Sequence, residues 1–258
     1  VMIDRLNTGE TGEIFVHQTP FYGESGGQVG DEGAVLGPRG RGTISDVMKV
    51  KDDLFSHRVV VEEGELAVGD SVELTVDVEK RKGVSRNHTA THLLQYALRT
   101  VLGSHVKQSG SLVEKDRLRF DFTHFQSLSD EEIDRVEEIV NDKIMECNAV
   151  ETDVKNRDDA IRSGATALFE EKYGDTVRVV QICDFSTELC GGTHVRNTGE
   201  IGSFAIITEV SLAYGVRRIE AVTGRAALEY RKKLERTIRN IAKSTSTELD
   251  KIEDKVDH

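Results

Sequence analysis

The stretch Arg86-Asn87-His88-Thr89-Ala90-Thr91-His92-Leu93-Leu94, about a third of the way along the chain, decides how the rest is read. Around it, from 79 to 102, apolar residues recur with helical period at Val84, Leu94, Ala97, Leu98 and Val101, and Gly103 fits the stop just beyond. On such a helix His88 and His92 lie one above the other on one face. Far downstream, Cys190-Gly191-Gly192-Thr193-His194 offers a second pair at the same spacing, in a loop after a strand. His88, His92, Cys190 and His194 together have the ligand types and number of a tetrahedral Zn2+ site. The zinc-protease form H-E-x-x-H is absent, because Thr89 stands where the general-base Glu would be. Four protein ligands lean towards a closed structural site, whereas a weak fourth ligand would leave room for water or substrate. Spacing alone does not choose between them.

Upstream of this helix the period changes. Segments 13–18, 42–49, 54–61 and 71–78 are rich in β-branched residues and separated by Gly, Asp and Glu turns, which predicts short strands closing into a small β-barrel. Within them runs Gly26-Gly27-Gln28-Val29-Gly30-Asp31-Glu32-Gly33. It lacks the dinucleotide G-x-G-x-x-G spacing, and no helix follows to offer its N-terminus to a phosphate. Gly26, Gly27, Gly30 and Asp31 therefore form either a glycine hairpin or bulge, or a close-approach surface facing the neighbouring domain's site.

Downstream, 110–113 and 118–122 predict a strand pair. Ser129-Asp130-Glu131-Glu132 is a capping box opening a helix with Ile133, Val136, Val140 and Ile144 on its buried face. Asp158 and Asp159 can cap a short helix, and 177–183 alternates as a strand. A final hairpin covers 201–210 and 216–222, joined by Ala213-Tyr214-Gly215. Helices fill 225–258, broken near Ser244-Thr245-Ser246, with basic residues clustered at Arg231, Lys232, Lys233, Arg236 and Arg239. The expected fold is α+β in three parts: a β-barrel at 1–78, a two-layer α/β domain with a mostly antiparallel sheet at 79–224, and a helical segment at 225–258.

A chain of 258 residues, 37% hydrophobic and 31% charged, is ordinary for a globular protein of one or two domains. No apolar run approaches the roughly 20 residues that span a bilayer, and the first residues lack the pattern of a signal peptide. The expected setting is therefore cytoplasmic, without membrane contact. A start at Val1 suggests a piece of a longer protein. Three widely spaced cysteines fit a reducing compartment, with Cys147 and Cys183 read as buried small hydrophobes. The net charge of −12 is uneven: residues 1–78 hold 6 basic and 15 acidic groups, 79–224 hold 19 and 24, and 225–258 hold 9 and 7. Any phosphate contact must then be local.

Gln108 and Thr91 are the polar residues expected beside the metal. Thr91 lies between the two histidines, and Gln108 follows the helix, where an exposed loop amide is the alternative. His105 reads as a solvent histidine. Arg217-Arg218 is either a solvated edge or a phosphate contact.

These motifs carry a family resemblance. R-N-H-T-A-T-H-L-L at 86–94, V-K-Q-S-G-S-L-V at 106–113, L-R-F-D-F at 118–122, D-F-S-T-E-L-C-G-G-T-H-V at 184–195 and G-V-R-R-I-E-A-V-T-G at 215–224 resemble the editing region of alanyl-tRNA synthetase, in its bacterial form. F-Y-G-E-S-G-G-Q-V-G-D-E-G at 21–33 resembles the glycine motif of the preceding barrel, and 225–258 the start of the linker to that enzyme's C-terminal domain. The editing domain of threonyl-tRNA synthetase and free-standing AlaX-type trans-editing proteins share parts of the pattern.

The resemblance implies hydrolysis of tRNA(Ala) mischarged with serine or glycine. It implies Zn2+ on His88, His92, Cys190 and His194, with Thr91 and Gln108 shaping the pocket and holding the attacking water or substrate. The implied partners are the tRNA(Ala) acceptor end and the remaining synthetase domains, to which ATP binding would belong. Gly26, Gly27, Gly30, Asp31, Arg217 and Arg218 are the expected substrate and tRNA contacts.

Overall fold

In the computed structural model the described residues are 2–51, 54–166 and 174–252. The strands that precede the histidine helix are β1 (Arg5–Asn7), β2 (Thr11–Ile14), β3 (Gly33–Leu36), β4 (Gly40–Lys51), β5 (Leu54–Ala67) and β6 (Glu73–Val76), all paired antiparallel in the order β1-β5-β4-β3-β6, with β2 also on β5. Alternation along β4 and β5 points Ile44, Val47, Val59 and Val61 inward, where they meet Leu6, Phe21, Val35 and Leu66 in one apolar core. The expected closed barrel is not formed. β1 and β2 both pair with β5, and no pairing among the described residues joins either to β6, so the sheet stays open. The sequence pattern also passes over β1 and β3, which are too short to show an alternation.

Helix α1 (Val78–Leu102) starts at Asp77, whose carboxylate accepts from the Glu79 and Lys80 amides, and ends at Gly103 with φ of 112°, a value that favours glycine. It is followed by β7 (Gln108–Val113), β8 (Leu118–Thr123), α2 (Asp130–Met145), β9 (Val150–Asn156), α3 (Arg157–Arg162), β10 (Thr176–Ile182), β11 (Ser186–Leu189), β12 (Phe204–Ala213), β13 (Val216–Thr223) and α4 (Gly224–Thr245). The capping box at Ser129 and Glu132 forms in both directions. Asn156, not Asp158 or Asp159, caps α3, and the two acids occupy its first turn.

A four-stranded antiparallel sheet, β12-β13-β8-β7, carries the larger core. Phe120, Phe122, Phe204 and Ile219 from the strands meet Leu94, Ala97 and Leu98 of α1 and Val136, Val140 and Ile144 of α2. A smaller antiparallel sheet, β11-β10-β9, stands apart with its own cluster around Ala160, Val177, Val179 and Leu189.

The helix α1 is buried on more than its apolar stripe, since Asn87, Thr89 and Thr91 are all buried. Each is satisfied. Asn87 donates to the Glu114 and Lys115 carbonyls and accepts from Thr223 Oγ1, and the two threonines donate to the backbone one turn back.

Cys147 and Cys183 are exposed rather than buried. Both adopt positive φ, 53° and 47°, just beyond the ends of a helix and a strand. α4 buries only Ala227 and Ala242 and stops at Ser246 with φ of 50°, at the expected break. Of its basic cluster, Arg231 pairs with Glu137 and Arg239 with Glu235. Residues 253–258 lie outside the described residues. No helix among the described residues is long and apolar enough to cross a membrane.

Candidate metal centre and cleft

The i, i+4 spacing on α1 stacks the His88 and His92 rings at 5.4 Å, and the loop after β11 brings His194 to 4.4 Å and 5.0 Å from them. Cys190 Sγ lies 3.3 Å from His88 Nε2 and 3.3 Å from His194 Nε2. One donor atom from each of the four residues falls within 4.8 Å of all the others. For bonds of about 2.0–2.3 Å a tetrahedral set of N and S ligands is spaced roughly 3.3–3.8 Å, which the two sulfur–nitrogen distances match, while the set as a whole lies within 4.8 Å.

The imidazoles are also oriented as ligands. His88 Nδ1 donates to Gln28 Oε1 at 2.6 Å, and His92 Nδ1 lies 2.7 Å from Glu188 Oε2. His194 Nδ1 lies 3.1 Å from Thr89 Oγ1, which gives its own proton to Ser85 O and so must accept. His88 and His194 thus keep the proton on Nδ1 and turn the Nε2 lone pair towards the sulfur, the arrangement that metal-bound histidines adopt. His92 Nε2 is a buried nitrogen with no hydrogen-bond partner among the described residues, which is what a metal bond would satisfy.

Electrostatics in the cluster are uneven. Burial opposes ionisation of the Cys190 thiol, but His88 and His194 beside it hold it well below the usual thiol range. Burial likewise disfavours charge on His92, yet Glu188 and Cys190 outweigh it and raise the ring to about 10. Burial and the neighbouring His88 push His194 down to about 3.

Gln28 and Glu188 were not singled out by the sequence reading. Gln28 is wholly buried, and besides His88 it accepts from the Thr193 amide at 2.9 Å and donates to Thr193 Oγ1 at 3.0 Å. It arrives on the glycine run, which is both a hairpin and a close-approach surface. Ser25 and Gln28 exchange backbone hydrogen bonds around Gly26 and Gly27 at φ of 59° and 83°, a two-residue turn of type I′. Gly27 and Val29 then bond to Val113 of β7. A Cβ on Gly27 would overlap Ser111, and one on Gly192 would overlap the His88 ring. Gly30 is pressed against Val47 O, and buried Asp31 pairs with Arg81, so both serve the packing of the run. The signal for each was its place in a quoted run, Gln28 among the glycines of 21–33 and Glu188 two residues before Cys190 in 184–195.

A cleft of about 230 Å³ opens onto the cluster. Thr91, Gln108, Gly26 and Ser111 line it together with His88, His92 and Cys190. Gln108 is half-buried at the start of β7 rather than a solvent-exposed loop amide. His105 is exposed, 3.0 Å from His124. Arg217 and Arg218 are not part of the lining. As adjacent residues of β13 they point to opposite faces, Arg217 to Glu209 and Arg218 to Asp121 at 2.7 Å. Arg178 of β10 clamps the metal loop by donating to the carbonyls of Cys190 and Gly192.

Two parts of the chain, one of them running through the Cys190 loop, match tRNA synthetase families. Residues 177–220 match the threonyl and alanyl tRNA synthetase second additional domain, and residues 2–80 match tRNA synthetases class II (A). The particular relationship is to the alanine–tRNA ligases. The chain is 51% identical over 247 residues to alanine–tRNA ligase 1 of Lachnoclostridium phytofermentans, covering 96% of this chain and 28% of that protein. It is 52% identical over 236 residues to the alanine–tRNA ligase of Carboxydothermus hydrogenoformans, covering 92% and 27%, and 54% identical over 218 residues to that of Fervidobacterium nodosum, covering 84% and 25%. The chain thus spans little more than a quarter of the length of these relatives.

Proposed function

We propose that the chain hydrolyses the aminoacyl ester of tRNA(Ala) mischarged with serine or glycine, as the editing part of an alanyl-tRNA synthetase. The observation that carries this reading is the shared cleft of Thr91, Gln108 and the four-residue cluster. The chemistry asks for such a second pocket, because an alanine site cannot strongly reject smaller glycine, or serine with one added hydroxyl. The Thr91 hydroxyl spends its proton on Asn87 O at 2.9 Å and keeps lone pairs to accept from a serine hydroxyl. Gln108 supplies an amide that can both donate and accept, to hold the ester carbonyl or the attacking water. Against serine, alanine would leave the Thr91 acceptor unpaired and is spared.

His88, His92, Cys190 and His194 would hold Zn2+, which when bound supplies a Lewis acid beside the ester or a structural tie between α1 and the Cys190 loop. The second role is favoured by the count of four protein ligands, and a non-catalytic zinc module is the alternative. Separate cores support dividing 1–78 from 79–224, while Ala227 at the start of 225–258 packs on Ala205 and Val222 of the preceding sheet. Phosphate binding at Arg217 and Arg218 would have to compete with Glu209 and Asp121.

The test is deacylation of Ser-, Gly- and Ala-tRNA(Ala) by the chain and by Gln108→Ala, with zinc content measured alongside. Serine and glycine should be released with alanine largely retained, and Gln108→Ala should lose activity while keeping zinc. Equal hydrolysis of all three sinks the specificity, and a Cys190→Ala chain with full zinc sinks the ligand set.

A further inference from the structure

We infer that Lys232, Arg236, Arg239 and Lys243 of α4 form a stripe that holds the phosphate backbone of an RNA duplex outside the cleft, a proposal that rests on the tRNA reading above. The four recur at intervals of four, three and four residues, so they share one face of the helix. At 1.5 Å per residue the stripe runs roughly 16 Å, enough to meet several phosphates.

Charge sets α4 apart. From Gly224 to Thr245 it carries seven basic and two acidic side chains, net +5, while the rest of the chain sums to −17. Every residue from 231 to 240 is exposed, and so is Lys243. Elsewhere on this acidic chain exposed cations meet carboxylates, as Arg5, Arg41 and Arg117 do. Lys232, Arg236 and Lys243 have no carboxylate ion pair among the described residues, and Arg239 meets only Glu235 of its own helix, at 3.6 Å. Leu234, Ile238 and Ile241 lie on the opposite side, so protein packed there would leave the stripe free.

The root of α4 ties the stripe to the site. Thr223, just before the helix, donates to Oδ1 of Asn87, the neighbour of His88, and Gly224 donates to Ser203 O. Along the helix axis the stripe begins about 12 Å and ends about 29 Å from that root. None of the four residues lines the cleft, so they act on RNA beyond the end that enters it. The partner is a polyanion, and the tRNA reading favours RNA over an anionic lipid surface. The apolar side of α4 also carries no Trp or Phe to seat it in a membrane interface.

The probe is a blunt RNA hairpin, with no single-stranded end to enter the cleft. The chain should bind it at low salt, and Lys232→Gln with Arg236→Gln should weaken binding by roughly tenfold or more. The slope of log affinity against log salt should become shallower by about 0.9 for each phosphate contact removed, while Lys232→Arg with Arg236→Lys retains it. Helix content by circular dichroism and zinc content should match the parent, since glutamine is a good helix former and both side chains are exposed. With mischarged tRNA(Ala) the glutamine pair should raise KM and leave kcat unchanged. No binding of the hairpin by the parent, or parental affinity and slope in the glutamine pair, overturns the stripe. So does a loss confined to binding of anionic vesicles, or confined to self-association in sedimentation. Stripe-dependent hairpin binding without hydrolysis of any ester leaves the stripe standing and sinks the hydrolytic reading. Ester hydrolysis with parental KM and parental hairpin binding in the glutamine pair sinks the stripe alone.

Discussion

Replacing Gln28 by Ala tests whether the N-terminal sheet region is part of the metal centre. The side chain makes three hydrogen bonds, to His88 Nδ1 at 2.6 Å, from the Thr193 amide at 2.9 Å and to Thr193 Oγ1 at 3.0 Å, and none of it is solvent-accessible. Truncation strands two buried donors, the His88 Nδ1–H and the Thr193 N–H, at about 1–3 kcal/mol each, so a loss of roughly 2–6 kcal/mol in stability is expected. Groups that orient a metal-bound histidine typically contribute about 10–100-fold to metal affinity, which is roughly 1.4–2.7 kcal/mol. The assay is competition for Zn2+ with a chromophoric chelator, together with thermal melts with and without metal. Gln28→Glu is the control, since it keeps an acceptor for both donors while losing only the donation to Thr193 Oγ1. It should hold metal better than the alanine variant. A Gln28→Ala chain that retains parental zinc affinity would show that the His88 orientation comes from α1 alone and refute the reasoning.

Three further outcomes are expected. Glu188→Ala should lower metal affinity by about 10–100-fold, because His92 loses the carboxylate 2.7 Å from its Nδ1, and chelator competition will show it. Gly192→Ala should displace the His88 ring and reduce metal stoichiometry, whereas Ala at Gly191, where a Cβ meets nothing within 4 Å, should bind metal normally. Burial holds His57 below its ordinary range, against the pull of the Ile14 carbonyl, so its neutral form stabilises the fold at pH above about 6.5. That contribution is lost as pH falls through the lowered value, because the unfolded chain takes up the proton first. Urea denaturation at a series of pH values should show His57→Gln to be less acid-sensitive than the parent.

Much of this architecture is legible in local sequence. Gly103 ends α1, the Ser129/Glu132 box opens α2, and the spacing of His88 with His92 and of Cys190 with His194 survives intact in the cluster. What was missed depends on partners distant in the chain. Gln28 reads as one polar residue in a glycine turn until His88 is brought to it, and Glu188 reads as an ordinary strand acid until it meets His92. Arg217 and Arg218 read as free cations because Asp121 lies 97 residues from Arg218 and Glu209 lies across the hairpin from Arg217. The barrel failed for a related reason: closure depends on which strand finds the last edge, and a pattern of alternation is silent on that. Cys147 and Cys183 show the limit of composition, since residue type suggests burial and both stand exposed at turns of positive φ.

The clamp between the glycine turn, α1 and the Cys190 loop also has a kinetic meaning. Its contacts join residues 60, 102 and 165 positions apart, as in Gln28 with His88, His88 with Cys190, and Gln28 with Thr193. Helix α1 can form from its own neighbours, but these closures must wait until both sheets have brought the segments together. The cluster is therefore a late event on the folding path, outside any early nucleus. A metal that binds there acts on escape from the native state more than on arrival at it, so it would prolong the folded lifetime with little change in folding rate.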